Sequence, residues 1–439
     1  MKPKAKEPTL NDCLQNPQFN LIDTLKLSAP EAVNPKRYFD WEELRYRKPP
    51  EGLDSAAWWV GVKLHRQLTR TELPLTDAKG EPFTYALMPQ FIDQLHEIDV
   101  LTGITPDVFS GSKAKAPAFS DSIIEESIMS SKLEGAVVTR AEAKEMLRQN
   151  RPALNEHERM VRNNYRTMRY LLECKDMPLT PEIVLELHHL MTADTLSRPE
   201  KCGCLRSSED WVRVEHAITG EIIHVPPPAE QLPERLNKMC AFANGDIGAH
   251  LHPILRAIVL HFWLAYDHPF VDGNGRTARA LFYWVMLRAG YKLVEYISIS
   301  HEIHKKSKGY YLSFQQVESE GYDVNYFIFN QLQIISAAFS KLRESVAPEA
   351  QEEVIFAGEG GGMPLPEDLN LRQQDYIREL RHSGGRGSIS VTGYCNRYKV
   401  VRQTARTDLN ALVEAGILTV RPQGRQFVYD ASPRFLANA

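Results

Sequence analysis

Between His252 and Leu287 the sequence sets two apolar runs on either side of twelve polar and glycine-rich residues. His252-Pro253 opens a helix that runs through Asp267, with Pro253 suited to its first turn. Ile254, Leu255, Ile258, Val259, Leu260, Phe262, Trp263 and Ala265 leave that helix almost no polar face. A helix apolar nearly all round has to be buried at a domain centre. Its partner begins near Gly275 and carries Leu281, Trp284, Val285 and Leu287. This pair predicts a mostly α-helical domain built around it, with the twelve residues between them, His268 to Arg279, held at one end of the core.

Those twelve residues read as phosphate chemistry. Gly273 and Gly275 let the backbone turn sharply and bring its N–H groups against a ligand. Arg276 and Arg279 stand three apart on the new helix and share one face. Guanidinium forks beside a helix N-terminus suit phosphate oxygens. Asp272 is a hard oxygen ligand of the kind that holds magnesium on substrate phosphates. His268 is the one group in the stretch with an ordinary pKa near neutrality, and so the candidate general base.

Residues 268–279, reading His-Pro-Phe-Val-Asp-Gly-Asn-Gly-Arg-Thr-Ala-Arg, resemble without departure the signature of Fic-domain proteins. By that resemblance the chain is a protein adenylyltransferase, moving AMP from ATP to a Ser, Thr or Tyr hydroxyl of a target protein. The resemblance implies His268 as the base, Asp272 as the magnesium ligand, and Gly273, Asn274 and Gly275 as the anion cradle. It implies Arg276 and Arg279 as the residues that hold the triphosphate.

Upstream, Ser122 to Glu134 reads as a helix with Gly135 as its left-handed stop. Glu134 is an anion in the last turn, which the helix dipole disfavours by roughly a few tenths of a kcal/mol. The segment Ser130 to Gly135 matches the family's inhibitory motif, Ser/Thr-x-x-x-Glu-Gly/Asn. The resemblance therefore implies that Ser130, Glu134 and Gly135 form an inhibitory element, with Glu134 paired to Arg279 in the place of the nucleotide's γ-phosphate. Thr139 and Glu142 read as a capping box for the next helix. Trp211–Val214 and Glu221–Val225 read as a hairpin turning at Thr219-Gly220 and closed by three prolines. It resembles the Fic flap, whose edge takes the target segment as an added strand.

The remaining chain frames this region. Residues 1 to about 50 are expected to form an irregular arm. Two helices follow, one carrying Trp58, Val62, Leu64 and Leu68 and one carrying Phe91, Leu95 and Ile98, with 73–86 as their connection. A loop is expected over 104–120, and helices over 155–173, 181–194 and within 310–340. His188, His189, His261, Tyr310 and Tyr311 read as core or surface residues. Residues 346–366 read as a linker. Beyond it, helices at 371–381, 391–398 and 403–415 and two strands around Pro422–Arg425 resemble a winged helix-turn-helix. From residue 367 on, Lys and Arg number eleven against seven Asp and Glu. Gln403, Thr404, Arg406 and Arg425 are then the candidate DNA contacts. The expected domains are 1–119 as an N-terminal arm and helical region, 120–345 as the catalytic domain, with its inhibitory helix at 122–135 and flap at 211–228, and 367–439 as the winged helix.

Composition excludes little else. No apolar run approaches the length of a spanning helix, and the basic N-terminus has no apolar stretch behind it, so neither a membrane protein nor a signal peptide is expected. Six dispersed cysteines suit a reducing cytoplasm, and Cys202-Gly203-Cys204 lacks the second pair that a zinc site needs. A net charge of −4 argues against a chain that binds nucleic acid over its whole surface. The expected ligands are ATP and magnesium, and the expected partner is a target protein on the flap. DNA at the C-terminal module and a homodimer stay open. Two alternatives share the site: removal of AMP from modified targets, and a DNA-binding regulator whose Fic site senses nucleotide.

Overall fold

The structure, a computed structural model, describes residues 6–32, 34, 37–104, 115–215, 220–248, 250–358, 369–382, 388–398, 400–423 and 426–436. Its contacts separate two units, Met1–Arg343 and Glu344–Ala439. The first opens with α1 (Leu10–Leu14), α2 (Leu21–Ala32), α3 (Trp41–Leu44) and α4 (Ser55–Leu68), then the strands β1 (Thr71–Thr76) and β2 (Pro82–Tyr85). Next come α5 (Pro89–Ile104), α6 (Lys115–Leu133), α7 (Arg140–Arg148), α8 (Glu156–Cys174) and α9 (Pro181–Thr192). The short strands β3 (Val214–Glu215) and β4 (Ile222–His224) lead into α10 (Leu232–Asn244), α11 (Pro253–Asp267) and α12 (Asn274–Arg288). The helices α13 (Ile299–Lys305), α14 (Ser307–Ser319) and α15 (Asn325–Gly358) follow, α15 running on past Arg343 into the second unit.

The apolar helices lie where their composition sends them. Every residue of α12 from Arg276 to Leu287 is buried, and α11 is buried along nearly its whole length. They pack on each other more extensively than any other helix pair. Around them close Leu171 of α8, Val184 and Leu187 of α9, Phe242 of α10 and Phe327 of α15. Burying side chains of this size contributes about 1.5–3 kcal/mol each before chain entropy is counted.

The N-terminal region differs from the sequence expectation. In place of an irregular arm, three helices form, and the two short ones are each begun by a local signal. Thr9 and Asp12 make a capping box on α1, and Asp40 caps α3 through the Glu43 amide. Segment 73–86 is an antiparallel hairpin, not a plain connection. Leu73 and Leu75 alternate inward on β1, and Asp77 with Gly80 turns the chain. The loop expected over 104–120 is already helical from Lys115, and 105–114 lies outside the described residues. The flap strands are shorter than read from the sequence, and Thr219 of their turn is also outside the described residues. Residues 346–358 of the expected linker are helical, continuing α15.

The second unit holds α16 (Leu371–His382), β5 (Ser388–Ser390), α17 (Val391–Tyr398) and α18 (Arg402–Glu414), then β6 (Leu418–Gln423), β7 (Gln426–Ala431) and α19 (Pro433–Leu436). Its sheet has three antiparallel strands in the order β5-β7-β6, one more than the sequence suggested. Tyr376, Tyr394, Leu409, Leu412, Ile417 and Tyr429 fill its core. Asp408 on α18 is buried and accepts from Asn370 at 2.6 Å and from Arg372 at 2.7 Å, which fastens α18 to the start of α16.

Candidate active site

His268 caps α11. Its backbone is left-handed (φ 45°, ψ 56°) and its N–H still bonds to the Leu264 carbonyl at 3.0 Å. A β-carbon is strained in that region, so neighbours must hold the turn. Arg206 does so: its Nε donates to the His268 carbonyl at 2.9 Å, and its Nη2 donates to the carbonyl of Pro227. The imidazole Nδ1 faces the Ala265 carbonyl at 3.2 Å, which leaves Nε2 as the nitrogen free to act as base. Desolvation pulls the ring's pKa down to about 4, nearby His224 and Arg206 add to the lowering, and Glu134 opposes it. The ring is therefore neutral at pH 7.

The loop after His268 is stapled from within. Asn274, 2% exposed, donates to the Phe270 carbonyl at 2.8 Å and accepts from the Phe270 N–H at 2.9 Å. Its side chain is thus spent on loop shape, and only its backbone is left for an anion cradle. Gly273 has φ +82°, and a Cβ there would lie 2.7 Å from Thr192. His188 of α9 lies against the Asp272 carbonyl at 2.9 Å, accepts from the Gly203 N–H at 3.0 Å on its other nitrogen, and stacks on Phe270 at 3.7 Å. Burial lowers its pKa to about 4. His188 and Arg206 both shape the loop through backbone contacts, and sequence reading gave neither a part in it. His189, one residue on, is exposed.

Both arginines of the stretch are buried. Arg279 donates through Nε to the Ser130 hydroxyl at 2.9 Å, and through Nη2 to the Ser130 carbonyl at 3.0 Å and the Glu134 carboxylate at 2.8 Å. Arg276 is 1% exposed and donates to the Met191 carbonyl at 3.2 Å, while its Nε and Nη2 have no hydrogen-bond partner. Nη2 has only an ionic contact, to Asp272 at 3.6 Å. Orphaned guanidinium donors in a buried site are costly, and they are what an anion at the start of α12 would satisfy.

Glu134 stands one residue past the end of α6, not in its last turn. The chain turns there through Glu134 N–H to Ser131 (3.1 Å) and Gly135 N–H to Lys132 (3.0 Å), with Gly135 at φ +89°. The Glu134 carboxylate reaches over the N-terminus of α12, where a Cβ on Gly275 would meet Oε1 at 2.2 Å. The carboxylate therefore lies against the helix start that would receive an anion.

Asp272 is the most exposed member of the stretch, its side chain 56% accessible, with Oδ1 accepting from the Gly273 N–H. Among the described residues no cluster of three or more His, Cys, Asp or Glu forms a metal cage. One open carboxylate 3.6 Å from the Arg276 guanidinium fits a magnesium ion that would be held jointly with phosphates, because that ion keeps most of its shell from water and phosphate.

The β3–β4 hairpin is anchored through His224, whose Nε2 faces the Tyr266 carbonyl at 2.7 Å and whose Nδ1 faces Glu318 at 2.9 Å. Trp211 (85% accessible) and Val225 leave apolar surface beside it. Tyr310 is core and bonds His261 at 3.0 Å, and Tyr311 is half exposed. In the second unit Gln403 and Arg406 are exposed on α18 and Thr404 is half-buried. Arg425 lies outside the described residues.

Comparison with known proteins agrees with this geometry. Residues 178–286 match the model of the Fic/DOC family, and residues 372–426 match the DeoR-like helix-turn-helix domain. The chain therefore carries a Fic/DOC-family domain followed by a DeoR-like helix-turn-helix domain. It is similar to the protein adenylyltransferase Fic of Drosophila willistoni, 34% identical over 105 residues (24% of this chain, 20% of the relative). It is likewise similar to that of Nematostella vectensis, 33% identical over 117 residues (27% and 25%). The matched region thus spans a quarter or less of these two relatives' length. The crystal structure of a Fic family protein from Desulfovibrio desulfuricans G20 shares the fold, at 18% identity and a TM-score of 0.54, covering 80% of this chain and 98% of that one.

Proposed function

We propose that the protein is an adenylyltransferase that moves AMP from ATP to a hydroxyl of a target protein and is held off by Glu134. The observation that carries this reading is the buried Arg276 at the start of α12, with two donor nitrogens lacking hydrogen-bond partners, in the same twelve-residue stretch as a neutral histidine in a left-handed turn. In this reading His268 Nε2 takes the proton from a Ser, Thr or Tyr hydroxyl. The hydroxyl oxygen attacks the α-phosphate, the bond to the β-phosphate's bridging oxygen breaks, and diphosphate leaves. Arg276, Arg279 and the backbone N–H groups of Asn274 and Gly275 bind and orient the phosphates, joined by that of Gly273 once Asp272 turns from it. Magnesium held through Asp272 would neutralise the leaving diphosphate. A target segment adds to the flap edge, with β4 as the natural strand to extend.

Glu134 holds Arg279 and stands where a phosphate would enter, so ATP binds in a pose unfit for transfer. Self-labelling with α-phosphate-labelled ATP and magnesium tests this. Glu134→Gly is expected to take label, wild type far less, and Glu134→Gly with His268→Ala none. Absence of label from all three while ATP still binds would reject adenylyl transfer. Release of AMP from a modified target by wild type but not by Glu134→Ala would instead assign the reverse reaction.

The helix-turn-helix match, with Gln403 and Arg406 exposed on α18, supports a second activity, DNA binding. Gln403, Thr404, Arg406 and Arg425 would supply the contacts.

A further inference from the structure

Glu126 is 2% exposed and lies two helical turns before Glu134, about 12 Å along α6 at 1.5 Å per residue. Four donors converge on its carboxyl group: the Tyr283 hydroxyl at 3.0 Å, the Ser298 hydroxyl at 2.8 Å, the Ser300 N–H at 3.0 Å and the Ser300 hydroxyl. The Tyr283 hydroxyl in turn accepts from the Ile299 N–H at 3.0 Å. Nothing in the transfer reaction uses these groups. A buried carboxyl group is costly to desolvate, and its best-attested return is fixing the register of the element that carries it.

The spacing shows which register that is. Glu126, Ser130 and Glu134 recur every four residues and share one face of the α6 line. Their counterparts on α12, Tyr283, Arg279 and Gly275, also recur every four residues, in the opposite direction. The two segments therefore meet in three rungs. The Glu134 rung closes on the nucleotide end, and the Glu126 rung closes on the far end, where it also gathers the start of α13. We propose that Glu126 is a positioning residue that seats the inhibitory segment: its bonds to Tyr283, Ser298 and Ser300 set where along α12 the Glu134 carboxylate comes to rest. A slip of α6 by one residue turns its face by about 100° and takes Glu134 off Arg279. Other ties near this end, Ser122 to the Tyr296 carbonyl (2.9 Å) on the same face, Glu125 to His301 (3.1 Å) and to Arg140, and Asp121 to Arg148 (2.6 Å), reach neither Arg279 nor Gly275.

This inference rests on the inhibitory reading of Glu134, and the test separates the two. Glu126→Gln keeps the volume but removes one acceptor oxygen, so that a hydroxyl now donating must turn to accept; Glu126→Ala removes the rung. Both are compared with wild type, Glu134→Gly and Glu126→Gln/Glu134→Gly in the full chain. Self-labelling by α-phosphate-labelled ATP with magnesium is read beside hydrogen exchange of the amides of 127–135. Glu126→Gln is expected to gain label roughly five-fold or more over wild type, to stay below Glu134→Gly, and to speed exchange at 127–135. The double variant is expected to label like Glu134→Gly alone. A residue that merely supports the core would lose activity instead of gaining it. Label at the wild-type level in folded Glu126→Gln, alongside strong label in Glu134→Gly, overturns the seat. Should Glu134→Gly gain no label, the inhibitory reading falls, and exchange alone judges the seat: faster exchange supports it and wild-type exchange overturns it.

Discussion

Glu134 accepts a hydrogen bond from Arg279 at 2.8 Å across a gap that exists because Gly275 has no side chain. The neighbouring Gly273 serves a different need. A Cβ on Gly275 would meet the movable end of Glu134 at 2.2 Å, whereas one on Gly273 would meet Thr192 in the packed core at 2.7 Å with φ at +82°. The two Gly→Ala substitutions should therefore part company. Gly273→Ala is expected to cost about 1–3 kcal/mol whatever stands at 134. Gly275→Ala should cost less, and less still with Glu134→Gly, because its main clash is gone. A double-mutant cycle on thermal unfolding reads the coupling; equal costs in both backgrounds would mean that Glu134 does not rest on Gly275.

Asn274 supports the loop with its own side chain. Asn274→Ala would leave the N–H and the carbonyl of Phe270 buried and unpaired. A loss of about 1–3 kcal/mol in stability follows from the desolvation of those groups, measured by denaturant unfolding. Because the staple sets the loop from which α12 starts, ATP affinity measured by titration calorimetry should fall with it.

Much of this site is readable from the chain because its loop is continuous. His268 to Arg279 spans one helix end, one turn and one helix start, so spacing alone assembles it. Glu134 lies 145 residues from Arg279, and only its motif, not periodicity, points to it. His188 and Arg206 could not be read as loop supports because they act on backbone carbonyls, which carry no sequence signal. The β1–β2 hairpin was legible in principle: Leu73 and Leu75 alternate, and Asp77 to Gly80 is turn chemistry. Two prolines concealed it. Two helices of the first fifty residues, α1 and α3, are so short that capping carries more signal than apolar periodicity, as Thr9–Asp12 shows.

Arg406 is exposed on α18. If α18 enters a DNA groove, Arg406→Ala should weaken binding to a cognate duplex without changing stability. Removing a side chain that neutralises one phosphate would lower the salt slope by about one. Fluorescence anisotropy over a salt series checks it, and an unchanged slope and affinity would remove Arg406 from the interface.

The pH dependence of transfer tests the environment of His268. An ordinary histidine loses its basic form below roughly pH 6.5. Here desolvation holds the pKa near 4, with Glu134 acting in the opposite direction. Self-labelling by Glu134→Gly should therefore keep its rate from pH 7.5 down to pH 5.5. An acid limb centred near 6.5 would show that the ring is solvated during turnover.

Stability should show the same principle at His261. This ring is fully buried on α11, bonded to Tyr310 at 3.0 Å, and burial with the nearby Arg279 charge lowers its pKa to about 3. In the unfolded chain its pKa returns to roughly 6.5. Above pH 6.5 the ring is neutral in both states and its contribution is fully present. As pH falls below 6.5, the unfolded state takes up a proton that the folded state refuses, so stability drops until the pH passes the folded pKa. One such group gives a slope of about 1.4 kcal/mol per pH unit. Between pH 6.5 and 5, above the range of ordinary carboxylates, denaturant unfolding of wild type should show this loss. His261→Gln, which keeps a polar group for Tyr310 but cannot titrate, should lose less stability over the same interval, by about one proton's worth of slope. Parallel profiles for the two proteins would mean that His261 is already charged in the folded core, contrary to its burial beside Arg279.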